Sequence, residues 1–336
     1  MDTELDRKRL KVCLIGGDHT GWALDSELAL TRRMLNFVNF SNLLFCDVIH
    51  TIFWPVILRI PKFLFSGKKV ISHLTHDPSI AFQLPGFEQV SARVNTWVVR
   101  SQHALRLMQE RGLNACLIPY GIDTTIFYPI PKSDYQLQEL VKTWNIPSSH
   151  YLVGSFQRDT EGNDLISPKL VKGPDRFLEI VSLINQQAPS IHVVLAGPRR
   201  FWLRQQLLEA RIPFTYIGQD IAGDDIHQNT LSHQTMNLLY NLIDLYIVSS
   251  RMEGGPQAIL EAAATQCKII STRVGHAEDV LDPGCLYDDA SQAVTMVQND
   301  MISGELSHTL EANWQAVDRH RLENLTPEWQ ALYHTF

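Results

Sequence analysis

Short β-branched runs alternate with longer segments of helical apolar spacing along the chain, and past the middle the alternation starts afresh. That pattern is the sequence form of a parallel sheet with crossover helices. In the first array, strands are expected at 11–15, 46–51, 69–74 and 96–100, with a helix over roughly 22–40. A further strand, 117–123, runs into a Pro/Gly turn. Between 128 and 149 the composition changes, with Pro129, Pro131, Pro147 and a short polar helix. The second array follows, with strands at 152–155, 192–196, 214–218, 245–248 and 268–271 and helices at 174–187, 234–243 and 256–266. At 336 residues the chain is too long for one ordinary α/β domain and about right for two. The pattern therefore predicts two Rossmann-like domains, 1–128 (one βα unit short before Cys46) and 151–320, a linker at 129–150, and a closing helix at 321–336.

A hydrophobic share of 45% lets each half bury a core. The formal net charge of −7 argues against nucleic acid as a partner, because binding a phosphate backbone needs a positive surface. Five scattered cysteines without a CxxC pair read as small buried residues in a reducing compartment. The charged first residues contain no apolar segment of a secretory signal, and no apolar run reaches the ~18 residues needed to span a bilayer. A cytoplasmic location is the expectation.

The densest chemical signal is Ser249-Ser-Arg-Met-Glu253-Gly-Gly-Pro-Gln-Ala-Ile-Leu-Glu261, which follows an apolar strand and opens a helix. Pro256 suits a first helical turn, where its missing N–H is not needed. Gly254 and Gly255 let the backbone approach a ligand closely. Free N–H groups at such a start attract anions, with the helix dipole contributing ~0.3–1 kcal/mol. A diphosphate suits that position. Glu261 is embedded in an apolar helix face, where a carboxylate needs a partner, and a ribose offers two hydroxyl donors. The plainer alternative leaves Glu253 as a dipole-complementing acid and Glu261 as a solvated helix residue.

This stretch resembles the Glu-x7-Glu signature of the retaining GT-B glycosyltransferases of family 4, the group 1 glycosyltransferases. Val171-Lys-Gly-Pro-Asp175, His192-Val-Val-Leu-Ala-Gly197, Tyr216-Ile-Gly218, Leu239-Tyr240, Asp244 and Lys268–Glu278 match that family's segments in order. In the first half Asp47–His50, His76-Asp-Pro78 and Ile118–Asp123 with Phe127 do the same. The resemblance implies two Rossmann-like domains facing across a cleft, with a C-terminal helix crossing back to the N-terminal, acceptor-binding domain. It also implies a retaining, metal-independent hexosyltransferase that uses a nucleotide-diphosphate sugar such as UDP- or GDP-hexose. The acceptor would be a glycan or lipid-linked glycan, as in bacterial cell-surface polysaccharide or lipopolysaccharide synthesis. Position by position, Lys172 and Arg158 would neutralise the diphosphate, and Glu261 would hold the ribose. Glu253 and His76 would face the transferred sugar. Gly254 and Gly255 would offer N–H groups, and Gly16-Gly17 would form a loop beneath the phosphates. No metal or cofactor is implied, and Asp224-Asp225 and Asp288-Asp289 read as loop acids. The family's Arg-to-Lys spacing is short, whereas 13 residues separate Arg158 from Lys172 here. Lys169 and Arg199 therefore stand as substitutes for Arg158.

His19, His50 and His73 read as structural. Gly16-Gly-Asp-His-Thr-Gly21 lacks the dinucleotide fingerprint, which argues against an NAD-dependent oxidoreductase. An epimerase on the same fold is disfavoured by the joint presence of the Glu pair and the Lys-Gly turn. A catalytically inactive module that binds a glycan or a partner enzyme remains the second reading. Between Val48 and His76 stand Arg59, Lys62, Lys68 and Lys69 without an acid, interleaved with Phe53, Trp54, Phe63 and Phe65. That mixture predicts peripheral membrane contact through 51–69, on the inner face, against the alternative of an ordinary core helix. A helix start is read at Thr326-Pro-Glu.

Overall fold

The computed structural model describes residues 9–18, 23–187 and 190–336. His19 and the helix start expected at Trp22 lie outside the described residues. The chain forms two compact units, residues 1–121 with 319–336, and residues 122–318.

In the first unit six parallel strands line up as β2-β1-β3-β4-β5-β6: β1 Lys11–Ile15, β2 Asn39–Phe40, β3 Val48–Thr51, β4 Lys69–His73, β5 Thr96–Val99 and β6 Ala115–Leu117. β3 and β5 are buried along their whole length, as parallel strands covered on both faces must be. The first helix, Ala23–Met34, stops six residues short of the expected end, because Asn39–Phe40 pairs with Lys11 and Val12 as an edge strand. β6 is shorter than read, ending before Pro119, which has no N–H for a ladder. Each side of the sheet carries its own apolar cluster. One is built around Trp54, Phe87 and Trp97, the other around Met34, Val98, Trp329 and Tyr333.

The last two of these come from the C-terminal helix, Leu322–Tyr333, which packs beside Ala23–Met34. It begins one residue into the expected closing segment 321–336 and four residues before the start read at Thr326. Pro327 sits inside it, removing one hydrogen bond near the N-terminal end while Leu325, Trp329 and Tyr333 bury the face that holds it. Segment 51–69 is not one continuous core helix. It forms two 3-10 turns, Trp54–Arg59 and Lys62–Phe65, and Trp54 and Ile57 turn into the core. Phe63 is exposed there, and so are Leu44 and Phe45 in the turn before β3. Lys68 Nζ joins the two places by donating to the carbonyls of Leu43 and Leu44.

In the second unit five parallel strands line up as β11-β10-β7-β8-β9: β7 Tyr151–Ser155, β8 Ile191–Ala196, β9 Phe214–Ile217, β10 Leu245–Val248 and β11 Ile269–Ser271. Numbered within the unit this is the 3-2-1-4-5 order of a Rossmann sheet, whose direction of winding reverses between β7 and β10. Segment 129–150, read as a linker, packs on this unit and contains the helix Tyr135–Thr143. The backbone N–H groups of Tyr128 and Ile130 donate to Asn237 and Asn241 on the helix His233–Leu242, at 3.1 and 2.6 Å.

Candidate donor-binding site

The winding of the sheet reverses between β7 and β10, and open α/β sheets hold ligands beyond the strands' carboxyl ends at such a point. The chain delivers Phe156-Gln157-Arg158 there from β7 and Ser249–Gly255 from β10. A third segment reaches it through Lys172-Gly173, just before the helix Pro174–Gln187. Gly173 has φ +64°, and a Cβ there would lie 1.9 Å from the Ser249 carbonyl oxygen. Only glycine lets these two segments approach so closely.

The approach puts Lys172 Nζ 2.6 Å from both carboxylate oxygens of Glu253. Glu253 is 9% exposed and Lys172 26%. Ser250 Oγ lies 2.8 Å from Glu253 Oε1 and 3.2 Å from Gln157 Oε1, and Gln157 Nε2 donates to the Lys172 carbonyl at 3.3 Å. One polar net therefore ties all three segments together. Arg251 laces them from outside, bonding both oxygens of Asp175 and the Leu170 carbonyl.

The 13 residues between Arg158 and Lys172 do not drive the two apart. Lys169 N–H donates to the Asp159 carbonyl at 2.7 Å, Glu161 N–H donates to Ser167, and Thr160 pairs with Pro168, so the insertion closes on itself as a hairpin. Beneath it Arg200 is 0% exposed. It forms an ion pair with Asp159 at 3.2 Å and donates to Ser155 at 2.9 Å. The substitutes for Arg158 are engaged elsewhere, Lys169 with Glu161 and Arg199 with Asp224. Arg158 itself is half-buried at the mouth of the hairpin.

The helix opened by the Gly254-Gly255 turn runs Gln257–Ala264, with Pro256 at its cap and no side chain bonded to its first N–H groups. Among the described residues none of the N–H groups of Gly254, Gly255, Gln257 or Ala258 has a protein acceptor. Unbonded donors of this kind suit an anion. Gln257 Nε2 is also buried without a partner. Gly275, at φ +56°, packs against this turn, where a Cβ would lie 2.6 Å from Gly255 Cα. Two turns on, Glu261 accepts a hydrogen bond from the Tyr240 hydroxyl at 2.8 Å. Burial raises its carboxyl to about 7, against the lowering effect of that bond.

The remaining predicted residues belong to the first unit. Gly16 follows β1 at φ +121°, against the backbone N–H groups of Ile52 and Phe53 at the end of β3. It stands where that sheet's own winding reverses, between β1 and β3. Gly17 packs on the Asp25 carboxylate, which accepts the Asp18 N–H at 3.1 Å. His76 follows β4, beside Phe53 and Trp54. Its Nδ1 is buried without a hydrogen bond, and burial lowers its pKa. His50 and His73 are fully buried, bonded to each other at 2.8 Å. Gln157 and Arg200 carry no motif signal, since each acts through a contact that only the folded chain creates, and within the stretch Ser249–Glu261 nothing singles out Ser250 or Gln257. Among the described residues no cluster of three or more His, Cys, Asp or Glu could hold a metal ion.

Residues 165–300 match the profile of the family described as "Glycosyl transferases group 1". The lipopolysaccharide core biosynthesis mannosyltransferase LpcC of Rhizobium leguminosarum bv. viciae is 21% identical over 222 residues, 64% of this chain. That match spans 57% of the relative's length. Among solved structures, Anabaena HepE in complex with UDP-glucose superposes with a TM-score of 0.75 at 14% identity, covering 98% of this chain and all of that one. Sucrose-phosphate synthase from Thermosynechococcus elongatus gives 0.66 at 16% identity, over 93% of this chain and 78% of its own. A glycosyltransferase from Rickettsia africae gives 0.69 at 13%, over 97% and 98%. The fold is therefore an α/β fold of two parallel-sheet units like that of GT-B glycosyltransferases.

Proposed function

We propose that this chain is a retaining glycosyltransferase that moves a hexose from a nucleotide-diphosphate sugar to a glycan or glycolipid acceptor. The observation that carries the reading is the Lys172–Glu253 pair, set beside unbonded N–H groups at the winding reversal of a Rossmann-ordered sheet. As the bond between the sugar and the diphosphate breaks, negative charge grows on the leaving group. Lys172, Arg158 and the N–H groups of Gly254 and Gly255 would stabilise it without reorganising. Lys172 exchanges Glu253 for the diphosphate on binding, which frees the Glu253 carboxylate for the sugar hydroxyls. His76 and Gly16-Gly17 stand in this reading as further candidate residues for the sugar and the phosphates. In this reading the chain's own cations neutralise the diphosphate, so transfer proceeds in the presence of EDTA. The mannosyltransferase relative favours a lipopolysaccharide-type acceptor, and the HepE complex favours a UDP-sugar donor.

The reading is tested by thermal shift and by nucleotide release. UDP or GDP should stabilise the protein, and Glu253→Ala and Lys172→Ala should each cut transfer by about 10²-fold or more while keeping the fold. Wild-type turnover in either variant refutes it. Peripheral membrane contact belongs to the same proposal, on the residues the fold exposes: Phe63, Leu44 and Phe45 with Lys62 and Lys69. Among the described residues no helix is long and apolar enough to cross a membrane. Liposomes containing anionic lipid should pull the protein down at low salt, and failure to do so removes this part.

A further inference from the structure

Glu261 lies on an apolar helix face, yet only one of its oxygens is satisfied by the protein. Tyr240 OH donates to Oε2 at 2.8 Å, whereas Oε1 has no partner among the described residues and is open to solvent. Tyr240 cannot swing away easily. It is fully buried, with its ring centroid 5.2 Å from those of both Phe156 and Tyr246. Phe156 begins the loop that carries Gln157 and Arg158. We propose that Tyr240 is a positioning residue for the nucleotide: by holding Oε2 it presents Oε1 to a vicinal diol and keeps Glu261 in the form that can accept from both hydroxyls. The proposal rests on the donor-binding reading above and names what that reading leaves open, the group that sets the charge of the ribose ligand.

A diol donates two O–H groups, so it binds the carboxylate, which can accept both, more tightly than the carboxylic acid. Burial raises the Glu261 carboxyl to about 7, and the Tyr240 bond is the one influence that opposes this rise. Other titratable groups come from each element packed on the helix. They are His233 on the helix His233–Leu242, Tyr246 on β10, Cys267 and Lys268 before β11, His276, Glu278 and Asp279 around Ala277–Val280, and Glu311 on Leu310–Ala316. None of them bonds Glu261, whose hydrogen-bonding partner is Tyr240. With its carboxyl raised to about 7, Glu261 gains its proton as the pH falls through that region, and binding the diol there should release one.

UDP, which has the ribose and no sugar, is the probe, with GDP as its parallel, titrated calorimetrically from pH 6 to 9. Wild-type affinity should rise with pH and level off above 8. Heats measured in buffers of different ionisation enthalpy should report proton release at pH 7. Glu261→Gln removes this component and leaves the titration of the phosphates themselves. Against that baseline, Tyr240→Phe should move the midpoint to higher pH. It should weaken UDP several-fold at pH 7 and approach wild-type affinity at pH 9. A Tyr240→Phe profile that overlays the wild type, or no proton release in the wild type, overturns the proposal while leaving nucleotide binding intact. Failure of the wild type to bind either nucleotide at any pH overturns the donor reading and this proposal with it.

Discussion

Lys172 and Glu253 satisfy each other at 2.6 Å, which fixes what their removal should do. Lys172→Ala leaves Glu253, 9% exposed, without its cation. Turnover should fall by about 10²–10³, the usual loss when a group stabilising a developing charge is deleted. Nucleotide affinity should fall with it, as calorimetry would show. Glu253→Ala should differ: turnover is lost, but Lys172 becomes free, so UDP binding is kept or tightened. Equal loss of UDP affinity in both variants would remove Glu253 from the sugar's side of the site. Both residues were readable because glycines flank them, and Gly173 shows why such a glycine is required. Gly173→Ala meets the Ser249 carbonyl at a positive φ. It should cost at least ~1 kcal/mol and lower Tm by about 2–4 °C or more, detectable by calorimetry. Gln157 and Ser250 were not readable, because they are ordinary polar residues whose meaning lies in a net between three loops.

The hairpin between Arg158 and Lys172 shows the same boundary between sequence and fold for a whole segment. In linear spacing it looks like an interruption of the family's Arg-to-Lys pattern. Its closing bonds, Lys169 N–H to the Asp159 carbonyl and Thr160 against Pro168, are backbone contacts to which no residue type points. What anchors it is Asp159, whose Oδ1 also accepts the first N–H groups of the helix Phe201–Glu209. Its partner Arg200 lies in the turn before that helix. Arg200→Met strands a buried carboxylate and should cost about 3–5 kcal/mol. The combined change with Asp159→Leu, which removes both charges, should recover much of it. Hydrogen exchange should localise the loss to 159–170. Strands were the easiest elements to read, since parallel strands are continuous apolar runs: 245–248 was placed to the residue and β7, β8 and β9 to within one. Helix ends were harder. The first helix yields to β2, and the last begins before Pro327, because tertiary burial decides where each stops.

Residues 1–121 and 319–336 together build the first unit, and a buried polar chain shows what the C-terminal helix contributes to it. Tyr333 OH meets His50 Nδ1 at 2.7 Å, His50 Nε2 meets His73 Nε2 at 2.8 Å, and His73 Nδ1 meets Arg100, which also pairs with Glu27. Trp329 stacks on His73 with ring centroids 5.5 Å apart and closes the chain from solvent. Burial holds both histidines well below the usual imidazole range, with Arg100 acting in the same direction. A histidine whose folded pKa lies below its unfolded value is neutral in the fold and takes up a proton on unfolding. Stability is therefore full above about pH 6.5 and is lost as pH falls below that value. Ending the chain after Leu325 removes Trp329 and Tyr333, and with them the cover over His73 and the partner of His50. Two consequences separate this from a generic truncation. The melting of the first unit should drop at pH 7.5, and its further fall between pH 7 and 5 should be shallower than in the full chain, because hydrated histidines titrate near their unfolded value. A truncated chain whose Tm follows the full chain's pH curve, merely displaced, would show that the helix adds apolar cover alone and that the histidines owe their neutrality to the sheet.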